Sequence, residues 1–315
     1  MGIARAACGA THPRDRRCDP RFPANDVRER VRGHFPLVEA LRAADGDESA
    51  RMVGESRLGC NSDRHMRIVE SALAVRPCST MTRSALYGRF LMCGRYFLKM
   101  LAAWNEYAEI RDAGWQEDFA SYNIAPSQDV PVLRMIDGTR HGSMLRWGLI
   151  PFFSRGEPPK YSTINARVEN IETGPVWRGP WKRRQRCILP GSGFFEWHLS
   201  DSSTKQPFAI EVADQPVFGF AGLWDRSQKA DGTAVESCAI ITLPASKLMA
   251  TIHNTKKRMP AILQIEARDT WLAGSPMEAR AALTQYPDEL LHAYKVSTRV
   301  NAPKNNDAEL VSPVG

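Results

Sequence analysis

The sequence predicts an α+β domain with a mainly antiparallel sheet or barrel core and flanking helices, and three observations lead there. Short β-favouring runs recur between residues 131 and 243, each bounded by Gly, Pro, Asp or Asn. Helical periodicity is confined to a few stretches that do not alternate with these runs, unlike a βαβ chain. Neither a GxGxxG nor a GxxxxGKS/T phosphate cradle is present, which disfavours a Rossmann or P-loop domain.

The strand candidates are Pro131–Met135, Arg146–Ile150, Pro207–Val212, Val217–Leu223 and Cys238–Leu243. Helical spacing is clearest in Lys99–Glu109, where Met100, Leu101, Trp104 and Tyr107 or Ala108 share a face. It recurs in Ala245–Ile252 and Ile265–Leu272. There is no internal repeat. The last stretch, Asn301–Gly315, is polar with two prolines and reads as a surface tail, so a domain over 93–302 is expected with a tail over 303–315.

The chain has 315 residues, 43% hydrophobic and 24% charged, with a formal net charge of +7. That is ordinary for a folded protein and leaves enough apolar side chains for a core. No run approaches the ~20 apolar residues of a membrane span, and the Arg-broken start lacks the apolar stretch of a secretory signal. A soluble, cytoplasmic protein is expected, associated with the nucleoid when bound to DNA. Seven cysteines without a CxxC pair argue against a disulfide framework and against a zinc finger.

Composition changes sharply near Met92. Residues 1–92 hold 16 Arg, no Lys, no Trp and four aromatics, and carry +5, against +2 for the remaining 223 residues. Their apolar fragments, such as Ile68–Val75, are interrupted by Arg, Gly and Pro. The segment is expected to be largely unstructured. A basic arm touching nucleic acid or a small folded domain are alternatives. The composition favours an upstream extension, with translation starting at Met92.

That start gives Met92-Cys93-Gly94-Arg95-Tyr96 a particular chemistry. Removal of the initiator Met would leave Cys93 with a free α-amine of pKa ~7.7 to 8.0 beside a thiol of pKa ~8.5. Such a 1,2-aminothiol condenses with aldehydes: the amine forms an imine and the thiol closes a thiazolidine ring. An internal Cys or a Lys cannot. The bland alternative is a buried structural Cys. Other residues bear on the choice, namely Asn165, Arg167, Glu196 and Trp197 after Phe194-Phe195, and His253 ahead of Arg258-Met259-Pro260. A carboxyl in apolar surroundings is biased toward its protonated form, which suits a proton shuttle. Histidine titrates where imine chemistry moves protons.

These residues carry a resemblance. Met-Cys-Gly-Arg-Tyr at 92–96, Tyr-Asn-Ile-Ala-Pro-Ser at 122–127, Arg-Trp-Gly-Leu-Ile-Pro at 146–151 and Asn-Ala-Arg at 165–167 occur in order. Arg-Cys-Ile-Leu-Pro at 186–190, Gly-Phe-Phe-Glu-Trp at 193–197, Phe-Ala-Gly-Leu-Trp at 220–224 and Arg-Met-Pro-Ala-Ile-Leu at 258–263 follow. Together they resemble the SRAP (SOS-response-associated peptidase) family over nearly all of residues 93–315, and residues 1–92 have no counterpart there. The resemblance implies a protein of the DNA damage response that senses abasic sites in single-stranded DNA and traps the ring-opened sugar aldehyde as a thiazolidine crosslink. It implies Cys93 as nucleophile, Asn165 holding the Cys and sugar, Glu196 assisting ring opening and proton transfer, and His253 serving the imine steps and reversal. Each role fits the residue's hydrogen-bonding inventory. No metal, cofactor or membrane is implied.

Arg95, Arg167 and Arg258 are candidate phosphate contacts, and Pro126, Trp147 and Trp197 candidate surfaces for stacking or bending a strand. Each Trp is equally well placed as core. A net charge of only +2 on the domain limits any DNA groove to a local stripe of Arg. One feature departs from the family: four residues, Asn254 to Lys257, separate His253 from Arg258, where one is usual. An outward bulge that keeps both in place is expected. A cysteine-type peptidase acting through Cys93, His253 and Asn165, able to cleave its own Met92-Cys93 bond, is the alternative activity. A noncovalent single-strand binder is a third.

Overall fold

A five-stranded closed barrel organises the molecule. The structure, a computed structural model, describes residues 94–104, 119–213 and 215–315, all within one compact unit, while the unit Met1–Gly59 lies outside the described residues. The barrel strands are β3 (Asp129–Ile136), β4 (Thr139–Trp147), β6 (Arg186–Gly191), β9 (Phe218–Gln228) and β10 (Ala234–Pro244). β10 pairs with β4, β4 with β3, β3 with β6, β6 with β9, and β9 returns to β10. Closure leaves no exposed edge within the ring. β10 continues past it to pair with β5 (Asn165–Arg167) on one side and β11 (Arg258–Pro260) on the other, and β12 (Ile262–Leu263) pairs with β9.

A second sheet has the order β13-β8-β7-β1-β2, formed by Leu291–Lys295, Lys205–Val212, Gly193–Leu199, Tyr96–Leu98 and Ser121–Ile124. β6 runs into β7 through Ser192 alone. Gly193 is required at the crossing, because a Cβ there would lie 2.2 Å from the Phe97 ring and 2.8 Å from the Ile210 carbonyl. Alternation along β1 and β7 then sorts side chains by face. Tyr96 and Phe194 point to the barrel, where Tyr96 meets Trp147 and Phe220 edge-on and Phe194 meets Phe220. Phe97 and Phe195 point the other way and pack with Ala209, Val296 and Val300, with Trp197, Tyr294 and Val311 against them.

Among the described residues the four α-helices are short: α1 (Arg178–Lys182), α2 (Lys247–Ile252), α3 (Arg268–Ala273) and α4 (Pro276–Ala281). Ser246 caps α2 by accepting from the Met249 amide, and a Ser275–Glu278 capping box with Pro276 in the first turn starts α4. α3 is closed by a strand residue: Arg186 of β6, buried, donates to the carbonyls of Trp271 and Gly274 and lies 5.9 and 5.8 Å from the Trp181 and Trp271 rings. Burial pushes its pKa down to about 10, so it stays charged at neutral pH.

The α+β class and the antiparallel core agree with the sequence reading, as do four of the five strand candidates; of the fifth, Arg146–Ile150, Arg146 and Trp147 end β4 and Gly148–Ile150 is loop. The expected helix over Lys99–Glu109 is described only to Trp104, as a 3-10 turn at Leu101–Ala103; residues 105–109 lie outside the described residues. So do residues 1–92 and Cys93. The tail over 303–315 does not trail: Leu310 is buried, Tyr294 Oη donates to the Val311 carbonyl, and Pro313 bridges to Val296. One leucine and backbone pairing dock a segment whose composition is polar.

Candidate active site

Glu196 and His253 meet as a buried pair between β7 and the end of α2. They are 1% and 5% exposed, and His253 Nδ1 lies 3.4 Å from Glu196 Oε2 and 3.1 Å from the Arg258 carbonyl. A carbonyl accepts only, which assigns the proton to Nδ1 and leaves Nε2 as the basic nitrogen. Two further ties hold α2 to β7: His198 Nδ1 to the Thr251 carbonyl, and Asn254, whose side chain both accepts from and donates to the Leu199 backbone. Thr255, Lys256 and Lys257 are exposed, with Lys257 at φ 50° and its amide donating to the His253 carbonyl. The added residues form an outward turn, and His253 keeps its bond to Arg258.

β10 gathers the next group. β5 sets Asn165 beside Ile240 and Arg167 beside Thr242, and β11 sets Arg258 beside Pro244. Asn165 is half-buried and Arg167 exposed. Arg258 is turned inward: it grips Glu169 through two bonds, 2.6 and 3.0 Å, and donates to the Thr242 carbonyl at 2.6 Å. This pairing holds the Glu169 carboxyl below its ordinary pKa, against the opposing effect of burial. Arg258 is therefore a brace between β11 and the turn after β5.

Two further candidates are engaged within the protein itself. Trp147 is 0% exposed and its indole N–H donates to the Ile164 carbonyl, so it has no face for a base. Arg95 is bonded to Asn123 Oδ1 and to the Val300 and Asn301 carbonyls, which ties the entry of β1 to the stretch after β13. Trp197 is half-buried with its indole N–H on Asn301, and Pro126 is half-buried between β2 and β3. The Phe195 amide donates to the Arg95 carbonyl at 3.0 Å, and continuing that register sets Gly94 across from Glu196. Among the described residues no group of His, Cys, Asp or Glu is arranged to hold a metal, and no helix is long and apolar enough to cross a membrane.

The model of the family described as SOS response associated peptidase matches residues 92–303. The chain belongs to the SRAP family. The abasic site processing protein YoaM of Bacillus subtilis is 36% identical over 230 residues, covering 70% of this chain and 97% of its own. The abasic site processing protein HMCES of Pongo abelii is 30% identical over 233 residues, covering 62% of this chain and 65% of its own. A crystal structure of a Bacteroides thetaiotaomicron protein superposes with a TM-score of 0.56 at 33% identity, covering 61% of this chain and 85% of that one.

Sequence reasoning missed one surface of this SRAP domain. Phe152 and Phe153 are 55% and 52% exposed, meet edge-on at 5.4 Å, and have the Arg183 guanidinium 5.0 Å from the Phe152 ring. Their loop is anchored from below: Asp225 accepts from the Phe152 amide and from Arg183, Ser237 from the Ile150 amide, and Ser227 from the Gly156 amide. Ile-Pro-Phe-Phe reads as core, but Ser154-Arg155-Gly156 directly after it is turn chemistry and was the available signal.

Burial pushes the His253 pKa below its ordinary 6.5, the bond to Arg258 opposes this, and Lys256 reinforces it. The native state thus resists a proton that the unfolded chain accepts. Its contribution to stability is complete above the unfolded pKa and is lost as pH falls below it. His253→Gln is expected to lose less stability than the parent between pH 7 and pH 5, measured by urea unfolding at each pH. A parallel decline in both would contradict this assignment.

Proposed function

We propose that this SRAP protein processes abasic sites in single-stranded DNA by capturing the sugar aldehyde on Cys93 as a thiazolidine. The observation that carries the reading is the buried Glu196–His253 pair, with Glu196 on the strand that pairs with β1, which begins three residues after Cys93. The α-amine of Cys93 adds to the aldehyde carbon and water leaves, giving an imine. The thiolate then attacks the same carbon, and the proton from sulfur ends on nitrogen. One water is released and no oxidant or cofactor is needed. In this reading Glu196 protonates the ring oxygen and departing hydroxyl, His253 Nε2 takes and returns protons at the imine stages, and Asn165 orients the sugar through its amide.

Binding in this reading tolerates any base. The Phe152–Phe153 pair, and Trp197 with Pro126, offer stacking faces, worth ~1 to 3 kcal/mol per base, and Arg167 offers a phosphate contact. Arg167→Ala is expected to flatten the dependence of log affinity on log salt by about 0.7, one phosphate's share on single strands. Arg258→Ala, whose cation is taken up by Glu169, is expected to leave that slope unchanged. Titration of a fluorescent oligonucleotide at several salt concentrations checks both, and equal flattening by the two variants would contradict the inward role of Arg258.

The direct experiment is adduct formation by Cys93→Ala, in protein beginning at Cys93, on a single-stranded oligonucleotide holding one abasic site. The heat-stable adduct should vanish, and an undiminished yield would refute the nucleophile. An imine through another amine is scored separately by borohydride trapping. Loss of residues 1–92 from the full-length chain over time would favour the peptidase activity as the source of the free amine.

A further inference from the structure

The stretch after β13 holds β7, which carries Glu196, and its neighbour β1. Val300 is buried among Phe97 of β1 and Phe195 of β7. Asn123, itself buried, donates to the carbonyls of Val300, Ala302 and Asn305 at 3.2, 3.1 and 2.9 Å and accepts from Arg95 at 2.8 Å. Asn301 is the point where this strap touches both strands. Its Oδ1 accepts from Trp197 Nε1 at 2.8 Å and its carbonyl accepts from Arg95 Nη2 at 3.3 Å.

Those two partners matter because of where they stand. Trp197 follows Glu196 on β7, and Arg95 lies two residues after Cys93 on the way into β1. Alternation sends Glu196 to the barrel face of the sheet and Arg95 and Trp197 to the opposite face. A clamp on that face fixes the alignment of the two backbones from the side away from Glu196. The exposed polar residue at position 301 adds little to the core, so packing does not account for its paired bonds.

We propose that Asn301 is a positioning residue for the reaction at Cys93, an inference that rests on the function proposed above. Its side chain fixes the indole of Trp197, and through that bond steadies the turn whose backbone carbonyl meets Arg95, so that β7 and the entry of β1 keep one alignment. Its loss slows the chemical step and leaves DNA affinity in place.

The experiment compares Asn301→Ala, Asn301→Asp, Trp197→Phe and the double variant Trp197→Phe/Asn301→Ala. Rates of adduct formation are measured at saturating oligonucleotide, and affinity on an oligonucleotide with a non-reactive reduced abasic site. Asn301→Ala is expected to be about five- to tenfold slower, the scale of one hydrogen bond, with affinity changed less than about twofold. Asn301→Asp, which keeps the acceptor oxygen, should recover the rate. Phenylalanine at 197 keeps a ring but no donor, so adding Asn301→Ala to it should cost nothing more. Equal slowing by Asn301→Ala in both backgrounds, or no slowing where the parent reacts, overturns the proposal. Amide exchange at Arg95 and Tyr96 reads the same clamp with no chemistry and should quicken in Asn301→Ala. Unchanged exchange overturns the proposal even if the parent forms no adduct, and a parent without adduct is a failure of the proposed function alone.

Discussion

Glu196→Gln is expected to slow adduct formation by about 10²- to 10⁴-fold, the usual weight of a general acid or base. The amide has the same shape, so the fold and DNA affinity should persist, while the group 3.4 Å from His253 Nδ1 can no longer gain or lose a proton. Opening the hemiacetal needs a proton on the departing ring oxygen, and Glu196 is the buried carboxyl beside His253. The single-turnover rate of Glu196→Gln at pH 7, beside its affinity for oligonucleotide with a reduced abasic site, separates chemistry from binding. A rate within threefold of the parent would remove Glu196 from the mechanism.

Arg186→Met is expected to cost about 3 kcal/mol of stability. The methionine fills much of the same space but leaves buried carbonyls at the end of α3 without a donor, each worth about 1 to 3 kcal/mol. It also forfeits two cation–π contacts worth about 0.5 to 1 kcal/mol or more each. Relief from burying a charge offsets part of this loss. For a domain of this size the melting temperature should fall by about 6 to 12 °C. A fall under about 2 °C in scanning calorimetry would show that α3 closes without Arg186.

The strands were legible because β-branched and aromatic runs between Gly and Pro mark them directly, as at Pro207–Val212 within β8. Barrel closure was not, since it depends on β9 and β10 pairing with strands drawn from distant parts of the chain. Glu196 and His253 were both readable as proton-transfer residues, but their approach across 57 positions was not. The arginines show the limit most clearly. Arg258 finds Glu169 and Arg95 finds Val300 only in the folded chain, 89 and 205 positions away, so a guanidinium that reads as a phosphate contact is already engaged. Trp147 and Trp197 look alike in sequence, and only the packing of each strand decides that one is core and the other half-buried.

The central claim is that the terminal amine and the thiol of Cys93 act on one carbon. The measurement is the intact mass of products from two proteins, one beginning at Cys93 and one with residues 1–92 still joined, each mixed with oligonucleotide bearing an abasic site. The account predicts a heat-stable product with the first, its mass equal to the sum of its reactants less one water, and none with the second. An equal yield from a chain whose Met92–Cys93 bond is intact would contradict it.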